Sequence, residues 1–439
     1  MKYQNQRREQ QEDEALARLM DQVFQAEGAW AMEWHQRLRQ DPACQRTWRR
    51  GAWTPSAGAL HANSGLPGDG SSNGPRLLRS SCSRRRLFSA IHNTGGVTMH
   101  PTTRNPEKKE LLLFLAVTYG LPLLMTLPMA VLFQAGRDVS LFPAAQMFYP
   151  AAGLILANLI CRKGDPLLPR RFFLAFLALT GVMVFWCLAG FLLPGKAAVN
   201  GGSYSSLIGT VLLIVLYLSE GKEKRAAYQL TGKNWGRSAL LLLLFVALTY
   251  GSALLFALFS EGLSGAAAVI SAIEPKKLPF LVFLPLVALL SLAPFFGEEY
   301  GWRTYFQPLL QQKFGGIKGV LLFGLLWESW HLPLVVFYYA PALPAASLPQ
   351  LLVLRYGVTI LLAIFMAYAY GKTQNVWLPV LVHFINNFLA TGEGAVVFSW
   401  GMIGGLLLIK GACYLPFLFS KVFRAQETAS PEEAPPESP

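Results

Sequence analysis

Charge is the scarcest property of this sequence. Only 14% of its 439 residues are Asp, Glu, Lys or Arg, while 53% are hydrophobic and the mean hydropathy is +0.36. Soluble domains carry about 25% charged residues, so a water-facing globular surface is a poor fit. Cysteine is scarce too. Cys44, Cys82, Cys161, Cys187 and Cys413 are odd in number and form no CxxC pair, which excludes a disulfide scaffold and leaves them as thiols. There is no collagen or heptad repeat. No HExxH motif argues for a zincin, and no nucleophile elbow argues for a serine hydrolase. The first 98 residues hold no apolar h-region and so do not read as a signal peptide.

What the chain does have is long apolar runs. A spanning helix needs about 20 mostly apolar residues. Ten runs qualify: Leu111–Phe133, Leu141–Ile160, Phe172–Leu193, Tyr204–Ser219, Ser238–Phe259, Leu278–Phe296, Ile317–Tyr339, Leu351–Tyr370, Val376–Ala390 and Ala395–Phe419. The fourth and ninth are short enough to be half-spans. With the N-terminal side inside, the inner segments carry 18 Lys/Arg and the outer ones 5, Arg355 among the outer, as the positive-inside bias requires. Lys410 falls inside the tenth run and reads as a snorkelling or pairing residue. The expectation is an all-α polytopic membrane helix bundle of about ten spans, with both termini cytoplasmic, integral to a bacterial inner (plasma) membrane. The net charge of +13 is then loop bias plus a basic N-terminal segment, and the partner is the lipid bilayer, not nucleic acid.

The two ends differ in kind. Residues 1–98 hold 23 of the 63 charges and are rich in Gln, Arg, Gly and Ser, a composition that cannot bury a core. They are expected to be a disordered or non-native extension, with Met99 as the true start: His100–Lys109 resembles a short cytoplasmic lead into the first span. Residues 424–439 are rich in Pro, Glu and Ser and read as a disordered tail.

Ionisable residues within spans are expensive and point to function. Three clusters occur, all in the C-terminal half. In Gly297-Glu298-Glu299-Tyr300-Gly301-Trp302-Arg303, Glu299 and Arg303 share a helix face and can pair, while Glu298 points about 100° away. The plain alternative is a span ending in a cytoplasmic ion pair. In Trp327-Glu328-Ser329-Trp330-His331, a histidine lies deep in an apolar run. Glu328 and His331 also make one Glu-x-x-His pair, but a di-iron bundle needs two. In His383-Phe384-Ile385-Asn386-Asn387, His383 and Asn387 are one turn apart, where interhelical hydrogen bonding is the alternative.

Depth brings the three together. Counted from Lys313, Lys318 and Lys372, all lie roughly 16–23 Å from the basic side at 1.5 Å per residue. This requires the sixth helix to continue to about Gln311, with Pro308 as a kink, and to turn at Gly315-Gly316. A carboxylate and an imidazole can deprotonate a water. A second imidazole with an amide can donate to a tetrahedral oxyanion. The set suits water attack on a peptide bond. A zinc ion held by Glu298, His331 and His383 is an alternative the residue types leave open.

In this order and spacing the clusters resemble the CAAX-protease and bacteriocin-processing (CPBP, or Abi) family of intramembrane proteases, which includes type II CAAX prenyl endopeptidases. The family pattern is Glu-Glu-x-x-x-Arg, Phe-x-x-x-His and His-x-x-x-Asn. Glu298, Glu299 and Arg303 match the first, His331 the second with Trp327 for the phenylalanine, and His383 and Asn387 the third. The resemblance covers residues 278–390, between N-terminal membrane helices (99–277) and a last membrane helix (391–423). It implies a helical bundle with a cavity open to the cytosol, cleaving a membrane-associated peptide or protein. Glu298 with His331 would activate water, His383 with Asn387 would form the oxyanion site, and Glu299 and Arg303 would support them. The family admits both a glutamate-type and a zinc-dependent reading. A catalytically silent scaffold or bacteriocin-immunity protein of the same fold is the alternative function.

Overall fold

The structure is a computed structural model, and it describes residues 108–193, 195–271, 278–342, 347–390 and 399–424. The extension 1–98, the tail beyond residue 424, Cys44, Cys82, Lys276 and Lys277 lie outside the described residues. Among the described residues there are helices and no strand. Seven helices are long and apolar enough to cross a membrane: α1 (Lys108–Gln134), α2 (Leu141–Cys161), α3 (Arg170–Ala189), α4 (Ala197–Ser219), then, after the short α5 (Lys222–Ala227), α6 (Trp235–Ala267), and later α11 (Leu348–Thr373) and α13 (Trp400–Phe419). Two bent pairs bring the number to as many as nine: α7 (Val282–Leu290) with α8 (Leu292–Phe314), and α9 (Gly316–Trp330) with α10 (Leu332–Tyr339). The fourth run is therefore a full-length helix. The ninth, α12 (Trp377–Ala390), has only 14 residues. Outward leucines such as Leu112, Leu123, Leu124 and Leu127 on α1 are exposed, which makes this an integral membrane protein with its apolar surface turned to lipid.

Prolines set the two bends that matter. The α7–α8 axis turns by 64° at Ser291. Pro294 lacks an N–H and its ring clashes with the carbonyl of Leu290, so the helix cannot run straight through. The kink expected at Pro308 does not occur there. Residues Trp302–Phe306 form a wider π turn in which the Gln307 N–H reaches the Trp302 carbonyl, and Pro308 falls in the first turn of the segment that follows. The helix continues to Phe314 and reverses at Gly315, whose φ of +86° favours glycine. Between α9 and α10 the 40° bend lies at His331, just ahead of Pro333.

Close helix approach depends on glycine. A Cβ on Gly297 would lie 2.7 Å from the Met147 carbonyl oxygen, and one on Gly301 would run into the Pro150 backbone, so this face of α8 lies directly on α2. Gly324 does the same for α9 against Ile360 of α11. The basic loops meet at one end of the bundle. Arg162 pairs with Glu110 at 3.0 Å, Asn234 donates to the Thr373 carbonyl, Trp377 donates to the Leu230 carbonyl, and Phe423 packs on Gly316. The Tyr228 phenol donates to Asp165 at this end and holds that carboxyl below its usual range. A cavity of about 520 Å³ opens here, lined by Asp165, Arg170, Arg171, Glu220 and Lys224. Of the described cysteines, Cys187 is buried and Cys161 and Cys413 are half-buried.

Candidate active site

Four helices supply the site. The Gly297/Gly301 face of α8 is spent on α2, which turns Glu298 towards α9 and Glu299 towards α12. Glu298 and Glu299 are both buried. Glu298 Oε1 accepts the Trp327 indole N–H at 2.5 Å and lies 3.9 Å from His331 Nε2. His331 Nδ1 is 2.9 Å from the Trp327 carbonyl. A carbonyl can only accept, so Nδ1 carries a proton, and in the neutral ring the lone pair is then on Nε2. At 16% side-chain exposure, His331 is the accessible member of a pair whose carboxylate is 1% exposed.

Glu299 is held from two sides. Its Oε2 takes the Arg303 Nε at 2.6 Å and its Oε1 lies 2.8 Å from His383 Nδ1. Arg303 is fully buried and sits over the rings of Phe323 and Trp327, at 4.8 and 4.6 Å from their centroids. Its Nη1 donates to Gln307 at 2.6 Å, Gln307 donates to Gln311 at 3.0 Å, and Gln311 donates to the Gly316 carbonyl. A polar thread of residues spaced four apart thus runs from the site to the turn. His383 packs edge-on against Phe295 and Trp327. Asn387 stands one turn further along α12, half-buried, with its amide oxygen accepting from Asn386 at 3.3 Å.

Glu298, Glu299, Arg303, His331 and His383 are therefore brought together. Arg303, one of the 18 inner Lys/Arg, is a buried residue paired with Glu299 and not a loop charge. Two features were missed. Trp327 reads in the sequence as an aromatic, yet its N–H is a hydrogen-bond donor to Glu298 that phenylalanine lacks. Arg355 is not an outer loop charge. It reaches the buried Glu328, with Nε 2.6 Å from Oε1 and Nη2 3.4 Å from Oε2. Thr359 adds a bond of 2.7 Å to Glu328 Oε2. The signal was present: a cation five residues into an apolar run needs a buried partner.

The expected metal triad is not the one that gathers. Among the described residues, Glu298, Glu299 and His383 have ligand atoms within 4.8 Å of one another, and His331 is outside that group. Both oxygens of Glu299 are already bonded, to Arg303 and to His383. A carboxylate oxygen that accepts one hydrogen bond keeps a second lone pair, so this group still offers ligand atoms of the kind a zinc takes.

Residues 280–389 match the family model described as type II CAAX prenyl endopeptidase Rce1-like. This segment, about a quarter of the chain, is similar to Rce1-like domains. It contains all three motif clusters and all five of the gathered residues. A CAAX prenyl protease 2 of Methanococcus maripaludis is 45% identical over 53 residues, which is 12% of this chain and 19% of that protein. The match spans about a fifth of that relative's length. No solved structure matches the chain. The helices α1–α6 precede the matched segment.

Proposed function

We propose that the chain is an intramembrane endopeptidase that hydrolyses a peptide bond of a membrane-associated protein or peptide. The observation that carries this reading is the apposition of the buried Glu298 carboxylate and His331 Nε2, 3.9 Å apart. That gap is too long for a direct hydrogen bond and suits a shared water. In the proposed reaction the water oxygen attacks the scissile carbonyl while its proton passes to Glu298 or His331. The carbonyl becomes a tetrahedral oxyanion. His383, with Glu299 at Nδ1, can carry a second proton on Nε2 and donate it to that oxyanion, with Asn387 as the second donor. Collapse breaks the C–N bond, and the proton returns to the departing amine. Glu299 and Arg303 fix the orientation of His383. No step uses a metal.

Access is proposed from the basic, cytoplasmic end, with Lys108 and Arg424 both on that side of a bacterial inner membrane. Comparing membrane proteomes of wild type and Glu298→Gln tests the enzyme reading. Membrane proteins that accumulate uncleaved in Glu298→Gln are the expected substrates. Identical proteomes, with both proteins equally abundant, favour the silent scaffold.

A further inference from the structure

The basic end of the bundle holds a cavity that the proposed chemistry does not use. It lies where α3 begins, α4 ends and α5 turns back, and its volume of about 520 Å³ is that of a small-ligand site. Its charges are unequally committed. Asp165 takes the Tyr228 phenol on one carboxylate oxygen and the Leu167 amide on the other. Glu220 is buried and takes Lys224 at 3.6 Å. Both acids are thus engaged from within the wall. The two arginines that open α3 are not. Arg170 and Arg171 are exposed and meet no carboxylate among the described residues, and the Arg170 guanidinium donates to the Lys163 carbonyl. Two adjacent guanidinium groups without a carboxylate, at the mouth of a cavity, suit the oxygens of a phosphate.

A second observation says what carries that phosphate. On α4, Ile208, Leu212, Val215 and Leu218 are all exposed, and their spacing of four, three and three puts them on one face. The stripe ends beside Ser219, which lines the cavity. On α3, Leu174 is exposed one turn beyond the arginines. Apolar surface made for acyl chains therefore runs directly into a basic mouth. A free anion uses only the mouth, whereas a phospholipid uses both. We propose that the cavity binds the phosphate headgroup of an anionic phospholipid, with Arg170 and Arg171 as its phosphate ligands and the acyl chains along α4. Basic pockets between helices at a membrane surface recognise such headgroups by the same chemistry. General positive-inside bias also supplies basic loops, but it requires no cavity and no particular pair of residues.

The test uses the full chain in a neutral detergent, titrated with phosphatidylglycerol and read by native mass spectrometry. The wild type is expected to retain one phosphatidylglycerol in preference to phosphatidylcholine, whose headgroup carries its own cation. The double variant Arg170→Gln with Arg171→Gln should weaken retention by about 30-fold, about fivefold per cation. Lys313 and Lys318 are exposed at the same end and do not line the cavity. Lys313→Gln with Lys318→Gln removes the same charge and should change retention by less than about twofold, because salt screens distant charges. Gly221→Trp keeps every charge. Gly221 lines the cavity, has an ordinary φ of −58°, and nothing stands within 4 Å of an added Cβ. Its indole should occupy the space and weaken retention as much as the arginine pair does. Equal losses in the arginine and lysine pairs overturn the proposal in favour of diffuse attraction, and so does equal retention of phosphatidylcholine. Full retention by Gly221→Trp overturns it as well, and this variant decides the matter even if the arginine pair folds poorly. Displacement of the lipid by excess inorganic phosphate would assign the cavity to a soluble phosphate compound and overturn the lipid assignment. Retention is read without cleavage, so a failed peptidase reading leaves it untouched.

Discussion

Glu298 and Glu299 are chemically identical neighbours, and their surroundings separate them completely. Glu298 meets an indole N–H and an imidazole, both uncharged donors or acceptors, while Glu299 meets a guanidinium at 2.6 Å. Glu298→Gln is expected to accumulate normally and to be inactive. Glu299→Gln strands Arg303 in a buried site, and breaking such a pair costs about 3–5 kcal/mol. That variant should be reduced in abundance and melt earlier in detergent as well as lose activity. Near-normal turnover by Glu298→Gln would remove it as the general base. Asn387→Ala tests the other half of the proposed site. If the amide donates to the oxyanion, turnover falls by on the order of 10²–10³ with abundance kept. The Glu299–Arg303 pair was legible in the sequence because spacing four residues apart on a helix is a local rule. The Arg355–Glu328 pair was not, because its partners are 27 residues apart and meet only when α9 packs on α11.

At the scale of elements, the informative positions are the small ones. Gly297 and Gly301 bracket the two carboxylates and give α8 a bare face against α2. Gly301→Ala should force the helices apart, at a cost of about 1–3 kcal/mol for overpacking, and rotate Glu298 off Trp327. Gly181, on α3, has nothing within 4 Å of an added Cβ. Gly181→Ala should leave melting temperature and cleavage unchanged or slightly improved, which makes it the control for the first substitution. The apolar runs located most helices correctly, since hydropathy reports the solvent each segment faces. Bends were harder. Pro294 and Pro308 look equivalent in the sequence, but only the first breaks its helix, because a π turn ahead of Pro308 absorbs the missing N–H. That choice depends on which carbonyls find other donors, and it is a tertiary fact.

At the scale of the whole molecule, the described chain gathers its basic loops at one end and its ionisable site within the bundle. The proposed chemistry needs no ion there. Exhaustive treatment with a chelator such as phenanthroline should therefore leave cleavage of an internally quenched prenylated CAAX peptide intact, and activity lost to the chelator and restored by zinc would refute the metal-free mechanism. The basic bias also survives inspection of the fold: moving Arg303 and Arg355 out of the loop counts removes one charge from each side and leaves the asymmetry in place.

The polar thread along α8 has a consequence for how the protein is made. Leu292–Phe314 carries Glu298, Glu299, Arg303 and Lys313, with Gln307 and Gln311 on the same stripe as Arg303. A charged residue at the centre of an inserting helix costs about 2.5–3.5 kcal/mol, while each leucine or phenylalanine returns only about 0.3–0.6. This segment cannot leave the translocation machinery for lipid by itself. It becomes compatible with the bilayer only once Trp327, Phe323 and His383 from later-synthesised helices satisfy its charges. The helix that carries the proposed catalytic carboxylate must therefore wait, held at the protein-conducting channel, until at least α12 has emerged. A glycosylation-reporter fusion ending after Phe314 should fail to integrate, whereas one ending after Ala390 should integrate efficiently.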